Sequence, residues 1–171
     1  ELEITGADGD TVHPRVLLTN SHDARNAFQF QAGLFRMICS NGLVVSDHNF
    51  SKLKIRHMGY DFSELKDTIT EIVSQLPLTV ESMNKFKTTE LNEQAKHEFG
   101  VNVEELIKPT RKEDVGDDLW SVFNVVQEKL VDGEFDYSNG TKIRKARKIK
   151  NFKQDLELNT GLFALASEYV A

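Results

Sequence analysis

Residues 62–77, FSELKDTITEIVSQLP, mark the point where the chain changes its period. Leu65, Ile69, Ile72, Val73 and Leu76 recur at three- and four-residue spacings, which places them on one stripe of a helix. Ser63 stands where a capping side chain is wanted, and Pro77 reads as a stop just past the last apolar residue. Upstream of this stretch the apolar residues recur at every second position instead. Phe28 and Phe30 alternate with Gln29 and Gln31, and Leu53, Ile55 and His57 alternate with Lys52, Lys54 and Arg56. Leu2 and Ile4 alternate with acids, and Val16-Leu17-Leu18 runs into the turn formers Thr19 to Asp23. Gly33 to Cys39 fits either period; a short helix closed by Ser40-Asn41-Gly42 is favoured.

Downstream of Pro77 the helical period continues. Thr79 to Phe86, Thr88 to Phe99 and Val103 to Ile107 read as helical pieces, and 110–116 as a polar loop. Asp117 and Asp118 precede Leu119, Trp120, Phe123, Val126, Leu130 and Val131, an amphipathic helix with acids at its positive end and Gly133 as stop. Asp132 to Gly140 is a turn-rich connector. Residues 141–171 carry Ile143, Ala146, Ile149, Phe152, Leu156, Phe163, Ala166 and Val170, and read as one long helix or two in succession, weakened at Gly161. The fold expected is α+β: an N-terminal antiparallel β-rich part, 1–60, packed with C-terminal helices, 61–171, in a single domain of 1–171.

Composition is compatible with this. At 171 residues, 39% hydrophobic and 28% charged, the chain is long enough and apolar enough to bury a core without disulfide or metal staples. The single cysteine, Cys39, excludes an intramolecular disulfide and a Cys-based zinc cluster. Apolar runs such as Gly42-Leu43-Val44-Val45 are too short for a membrane span, so no membrane partner is expected, and a lone cysteine fits a reducing compartment, so a cytoplasmic location is expected. The opening Glu1-Leu2-Glu3-Ile4 has neither a methionine nor a signal layout, and reads as a chain that begins partway into a domain, lacking some N-terminal residues.

Several stretches carry a family likeness. Asn20-Ser21-His22-Asp23 with Ala27-Phe28, Gly33-Leu34-Phe35-Arg36, Cys39-Ser40-Asn41-Gly42-Leu43-Val44 and Ile55-Arg56-His57 follow one another in order. Trp120, Asn124 and Glu128, and then Leu158, Asn159, Leu162 and Phe163, complete the series. Over roughly residues 15–170 the chain resembles the phage/plasmid-like family of unknown function, which has an Asn-Ser-His-Asp-Gly turn, an Arg-x-x-Cys-x-Asn segment and a Trp-x-x-x-Asn-x-x-x-Glu helix. It departs from that pattern at Ala24-Arg25, where many relatives have Gly-Ser, the glycine being suited to a positive-φ turn. The resemblance implies an origin in phages, prophages or plasmids, hence a host-cell cytoplasm, and brings no catalytic residues with it.

The most enzyme-like constellation is His22, Asp23 and His57: a histidine beside a carboxylate suits general-base or metal chemistry. Against it, Asp and Ser in a turn commonly bond their own backbone. Cys39 lacks a nucleophile signature and reads as a small core residue. The histidines form no HExxH pair, and the glycines no GxGxxG or Walker loop, so no metal and no cofactor are expected. Trp120, Asn124 and Glu128 share a helix face and, with Arg36 and Asn41, would either line a pocket or form a buried polar network, Glu128 pairing with Arg36.

The strongest physical anomaly is a run of bases. Lys142, Arg144, Lys145, Arg147, Lys148, Lys150 and Lys153 fall in twelve residues without an acid, which leaves −13 on the rest of a chain whose net charge is −6. On a helix striped by Ile143, Ala146, Ile149 and Phe152 they would cover the exposed side. Phosphates are the natural counterpart of such a surface; a solvated face is the bland alternative. The function expected is therefore a non-catalytic nucleic-acid-associated accessory protein touching DNA or RNA backbone. An enzyme built on His22, Asp23 and His57, or a module binding a host or phage protein, are the alternatives.

Overall fold

The computed structural model describes residues 4–5, 11–19, 28–36, 53–55, 62–74, 76–100, 104–133, 135–139 and 142–170. Four strands, β1 (Ile4–Thr5), β2 (Thr11–Thr19), β3 (Phe28–Arg36) and β4 (Leu53–Ile55), form an antiparallel sheet in chain order. The long pairing is β2 with β3, from Val12 opposite Arg36 to Thr19 opposite Gln29. The short helix expected from Gly33 is therefore strand as far as Arg36. Because β2 already begins at Thr11, Ala32 to Arg36 each find a partner, and a ladder satisfies backbone groups that one isolated helical turn would leave open. Pro14 lies beyond the two residues of β2 that β1 covers, so its missing N–H costs that pairing nothing.

The helices are α1 (Phe62–Ser74), α2 (Leu76–Thr88), α3 (Glu93–Phe99), α4 (Glu104–Ile107), α5 (Leu119–Asp132) and α6 (Phe152–Glu168). α1 runs alongside β3 and β4. Pro77, expected as a stop, sits in the first turn of α2, where a helix has no use for the missing N–H. Asn92 caps α3 by accepting from the Ala95 N–H at 2.9 Å. Asp118 caps α5 in the same way, accepting from the Ser121 N–H at 3.0 Å and its hydroxyl at 2.7 Å. Gly133 ends α5 at φ 70°, a left-handed stop.

α5 is the axis of the core. Its residues from Leu119 to Gln127 are all buried. Phe86 of α2, Phe123 of α5 and Phe163 of α6 meet there, with ring centroids 6.0 Å (Phe86–Phe123) and 5.2 Å (Phe86–Phe163) apart. Trp120 stacks on Phe123 at 6.3 Å and 13°. Backbone bonds from Leu91 N–H to the Asp117 carbonyl (2.8 Å) and from Leu119 N–H to the Thr89 carbonyl (2.7 Å) fix the start of α5 against the link between α2 and α3.

The C-terminal third departs from the sequence expectation. Residues 141–171 are not helical throughout: β5 (Asp136–Asn139) and β6 (Lys142–Lys145) pair as an antiparallel hairpin, residues 146–151 form no regular element, and only α6 is helix. Two physical reasons favour the hairpin. Only Gly140 and Thr141 separate the paired Asn139 and Lys142, the shortest common hairpin connection. A helix would also stack like charges such as Arg144 and Lys148 at i, i+4. A strand spreads successive residues about 3.3 Å apart, against about 1.5 Å in a helix.

Candidate functional site

The hairpin pairs Asp136 with Lys145, Tyr137 with Arg144, Ser138 with Ile143 and Asn139 with Lys142. Directly opposed residues share a face and alternate positions change face. Tyr137, Lys142 and Arg144 thus lie on one side of the ribbon, with Asp136, Ser138, Ile143 and Lys145 on the other. All four β6 residues are exposed, and Ile143, expected to join an apolar helix stripe, keeps 79% of its surface in solvent. Tyr137 keeps 38%, with its ring 6.3 Å from that of Phe135, which packs against the core.

Backbone contacts hold this segment in place. The Ala146 N–H donates to the Phe135 carbonyl at 2.9 Å, and the Ile149 N–H to the Val131 carbonyl at 2.8 Å. Between them the chain passes so close to Gly133 that a Cβ there would clash with the Arg147 carbonyl carbon. Lys148 pairs with Asp132 at 2.6 Å. Among the described residues no acid closes an ion pair on Lys142, Arg144, Lys145, Arg147 or Lys150. Those five side chains offer positive charge and hydrogen-bond donors.

Trp120, Asn124 and Glu128 share α5 but face different neighbours. Trp120 is in the core, with Lys87 Nζ 5.5 Å from its ring centroid. Asn124 is buried and its amide donates back to the Trp120 carbonyl at 2.7 Å. Glu128 accepts from Arg111 Nη2 at 2.7 Å, Arg111 Nε at 3.2 Å and the Thr110 hydroxyl at 3.2 Å. Among the described side chains its cation is Arg111, from the loop before α5; the side chain of Arg36, the partner expected from sequence, lies outside the described ones, and its backbone ends β3 opposite Val12. His22, Asp23, Cys39, Asn41 and His57 lie outside the described residues.

A polar ladder that sequence reasoning missed joins α5 to α6. Gln127 Nε2 donates to Asn159 Oδ1 at 3.1 Å, and Asn159 Nδ2 donates to the Asp155 carbonyl (2.8 Å) and carboxylate (3.0 Å). Gln127 and Asn159 are buried, so each needs the other as a partner. Burial pushes the Asp155 carboxyl above its ordinary range, with the Asn159 hydrogen bond pulling the other way. The Leu158-Asn159 and Leu162-Phe163 segment therefore reads as core and ladder. Elsewhere, hydrogen bonds to Asp117 first and Glu93 second hold the Lys96 ammonium above its usual range. Among the described residues no three His, Cys, Asp or Glu side chains are placed to hold a metal ion. No helix among them is long and apolar enough to cross a membrane.

Comparison with known proteins gives a family without an activity. The family described as a domain of unknown function (DUF932) matches residues 1–163. The UPF0380 protein YafZ of Escherichia coli (strain K12) is 27% identical over 168 residues, covering 90% of this chain and 61% of the relative. The UPF0380 protein YfjQ of the same strain is 26% identical over 168 residues with the same coverage, 90% and 61%. The chain thus spans 61% of the length of each of these curated relatives. No solved structure matches.

Proposed function

The chain belongs to the DUF932 family, and from that premise we propose a non-catalytic, nucleic-acid-associated protein of phage or plasmid origin, working in the cytoplasm and touching backbone phosphates through residues 142–150. The same proposal takes the strand-rich residues 1–60 and the helical residues 61–171 as one α+β domain. The observation that carries the function is the exposed basic hairpin: Lys142, Arg144, Lys145, Arg147 and Lys150 have no acid paired to them among the described residues. Phosphates bind such a cluster by releasing their condensed counterions, without reading sequence. His22, Asp23 and His57 lie outside the described residues and add nothing to this reading.

A fluorescence-anisotropy titration of the full chain with labelled oligonucleotides at two salt concentrations tests it. Affinity should fall as salt rises, by about 0.7–0.9 in log–log slope for each phosphate neutralised. The triple variant Arg144→Glu, Lys145→Glu, Arg147→Glu should bind at least about tenfold more weakly. Its melting temperature should stay within about 1–2 °C of the parent, since these exposed side chains close no ion pair with described residues. Retained affinity in that variant would overturn the assignment.

A further inference from the structure

We propose that the Tyr137 side of the hairpin is a stacking platform for single-stranded nucleic acid. This rests on the phosphate-binding reading and narrows its ligand. Tyr137 is an aromatic side chain with 38% of its surface open. It stands directly opposite Arg144 and on the same ribbon face as Lys142. Phe135 supports it from the core side at 6.3 Å between ring centroids. Single strands offer every base's π-face to such a ring, whereas a duplex keeps its bases stacked on one another. Arg144 adds a planar guanidinium that both neutralises phosphate and stacks.

Spacing supports the same ligand. Lys142 and Arg144 are two residues apart on a strand, so their attachment points lie about 6.8 Å apart. A single strand carries one phosphate per nucleotide, so a backbone lying along β6 offers separate phosphates to the two cations. A base stacked on the open face of Tyr137 then stands level with Arg144, with Lys142 further along the same strand edge. The ribbon's other side, with Asp136 among its residues, lacks an aromatic ring.

The test is an anisotropy titration of the full chain with an oligo-dT strand of about 15 nucleotides, its ribo-U counterpart and a duplex of equal length. The parent should prefer both single strands over the duplex. Tyr137→Ala and Tyr137→Leu should each weaken single-strand binding about tenfold while leaving the duplex unchanged, and Tyr137→Phe should restore the parent value. Circular dichroism melts of each variant confirm that the chain is folded. Equal loss on single strand and duplex, no loss in Tyr137→Ala, or parental binding by Tyr137→Leu would overturn the platform while leaving the phosphate reading intact. Preference for the duplex would do the same. Failure of the parent to bind any of the three probes would overturn both readings.

Discussion

Helix α5 and the β5–β6 hairpin are neighbours in sequence and opposites in how they are held. From Leu119 to Gln127 every residue of α5 is buried, whereas every residue of β6 is exposed. The helix keeps its place through what its side chains bury: Phe123 against Phe86, Trp120 on Phe123, Gln127 on Asn159. The basic segment keeps its place through backbone: Ala146 to Phe135, Ile149 to Val131, and the close pass at Gly133. A segment held in this way has its side chains available for a ligand. Changing them should leave the fold standing, which is why the charge-reversal triple is expected to alter binding without altering melting.

The largest blow to this contrast would come from the helix side. Phe123→Ala should cost about 3–5 kcal/mol, read as a lower urea midpoint at unchanged slope. A cost below about 1 kcal/mol would mean that α5 is not the buried axis described above.

Gly133→Ala strikes the join between the two regions. The left-handed backbone alone disfavours an L-residue by about 1–2 kcal/mol, and the new Cβ would press on the Arg147 carbonyl carbon. In hydrogen exchange, the amides of Ala146 and Ile149 should lose protection while those of Phe123 and Val126 keep it. Simultaneous loss in all four would show one cooperative unit and erase the distinction.

The smallest effect sharpens the comparison from inside the core. Asp155 is held above its ordinary carboxylate range by burial. The folded state therefore binds its proton more tightly than the unfolded chain does. The stability so contributed is full below the ordinary value of 3.8 and is lost as pH rises through the raised folded value. Asp155→Asn removes that slope while keeping an oxygen for Asn159. Its stability relative to the parent should rise as pH climbs from below 3.8 through the raised folded value, by less than about 1 kcal/mol, because water reaches and screens the carboxyl. Thermal melts across that range check the sign; a falling difference would refute the burial argument.

The two regions were also unequally legible in the sequence. The start and stop of α5 could be read from Asp118 and Gly133 because both act locally, through a cap and a left-handed residue. The hairpin was hidden because Ile143, Ala146 and Ile149 fall at helical spacing, while the deciding signals, the two-residue connection after Asn139 and the crowding of like charges, compete with that period. Glu128 declared a need for a cation but not its source. Arg111 lies seventeen residues away, and only the loop that brings it back makes the pair. Tyr137 gave no signal by itself; its importance comes from standing opposite Arg144.

The hairpin also sets a length scale. From Asp136 to Asn139 the ribbon advances about 10 Å, comparable to the distance of about 8 Å over which physiological salt screens a charge. A phosphate arriving at Lys142 therefore lies within one screening length of the attachment point of Arg144, so both cations act on it. The thirteen excess negative charges of the remaining chain are muted by the intervening ions wherever they lie beyond that range. Net charge describes how the molecule migrates in a field; the charges within a screening length decide which sign a ligand meets at Lys142.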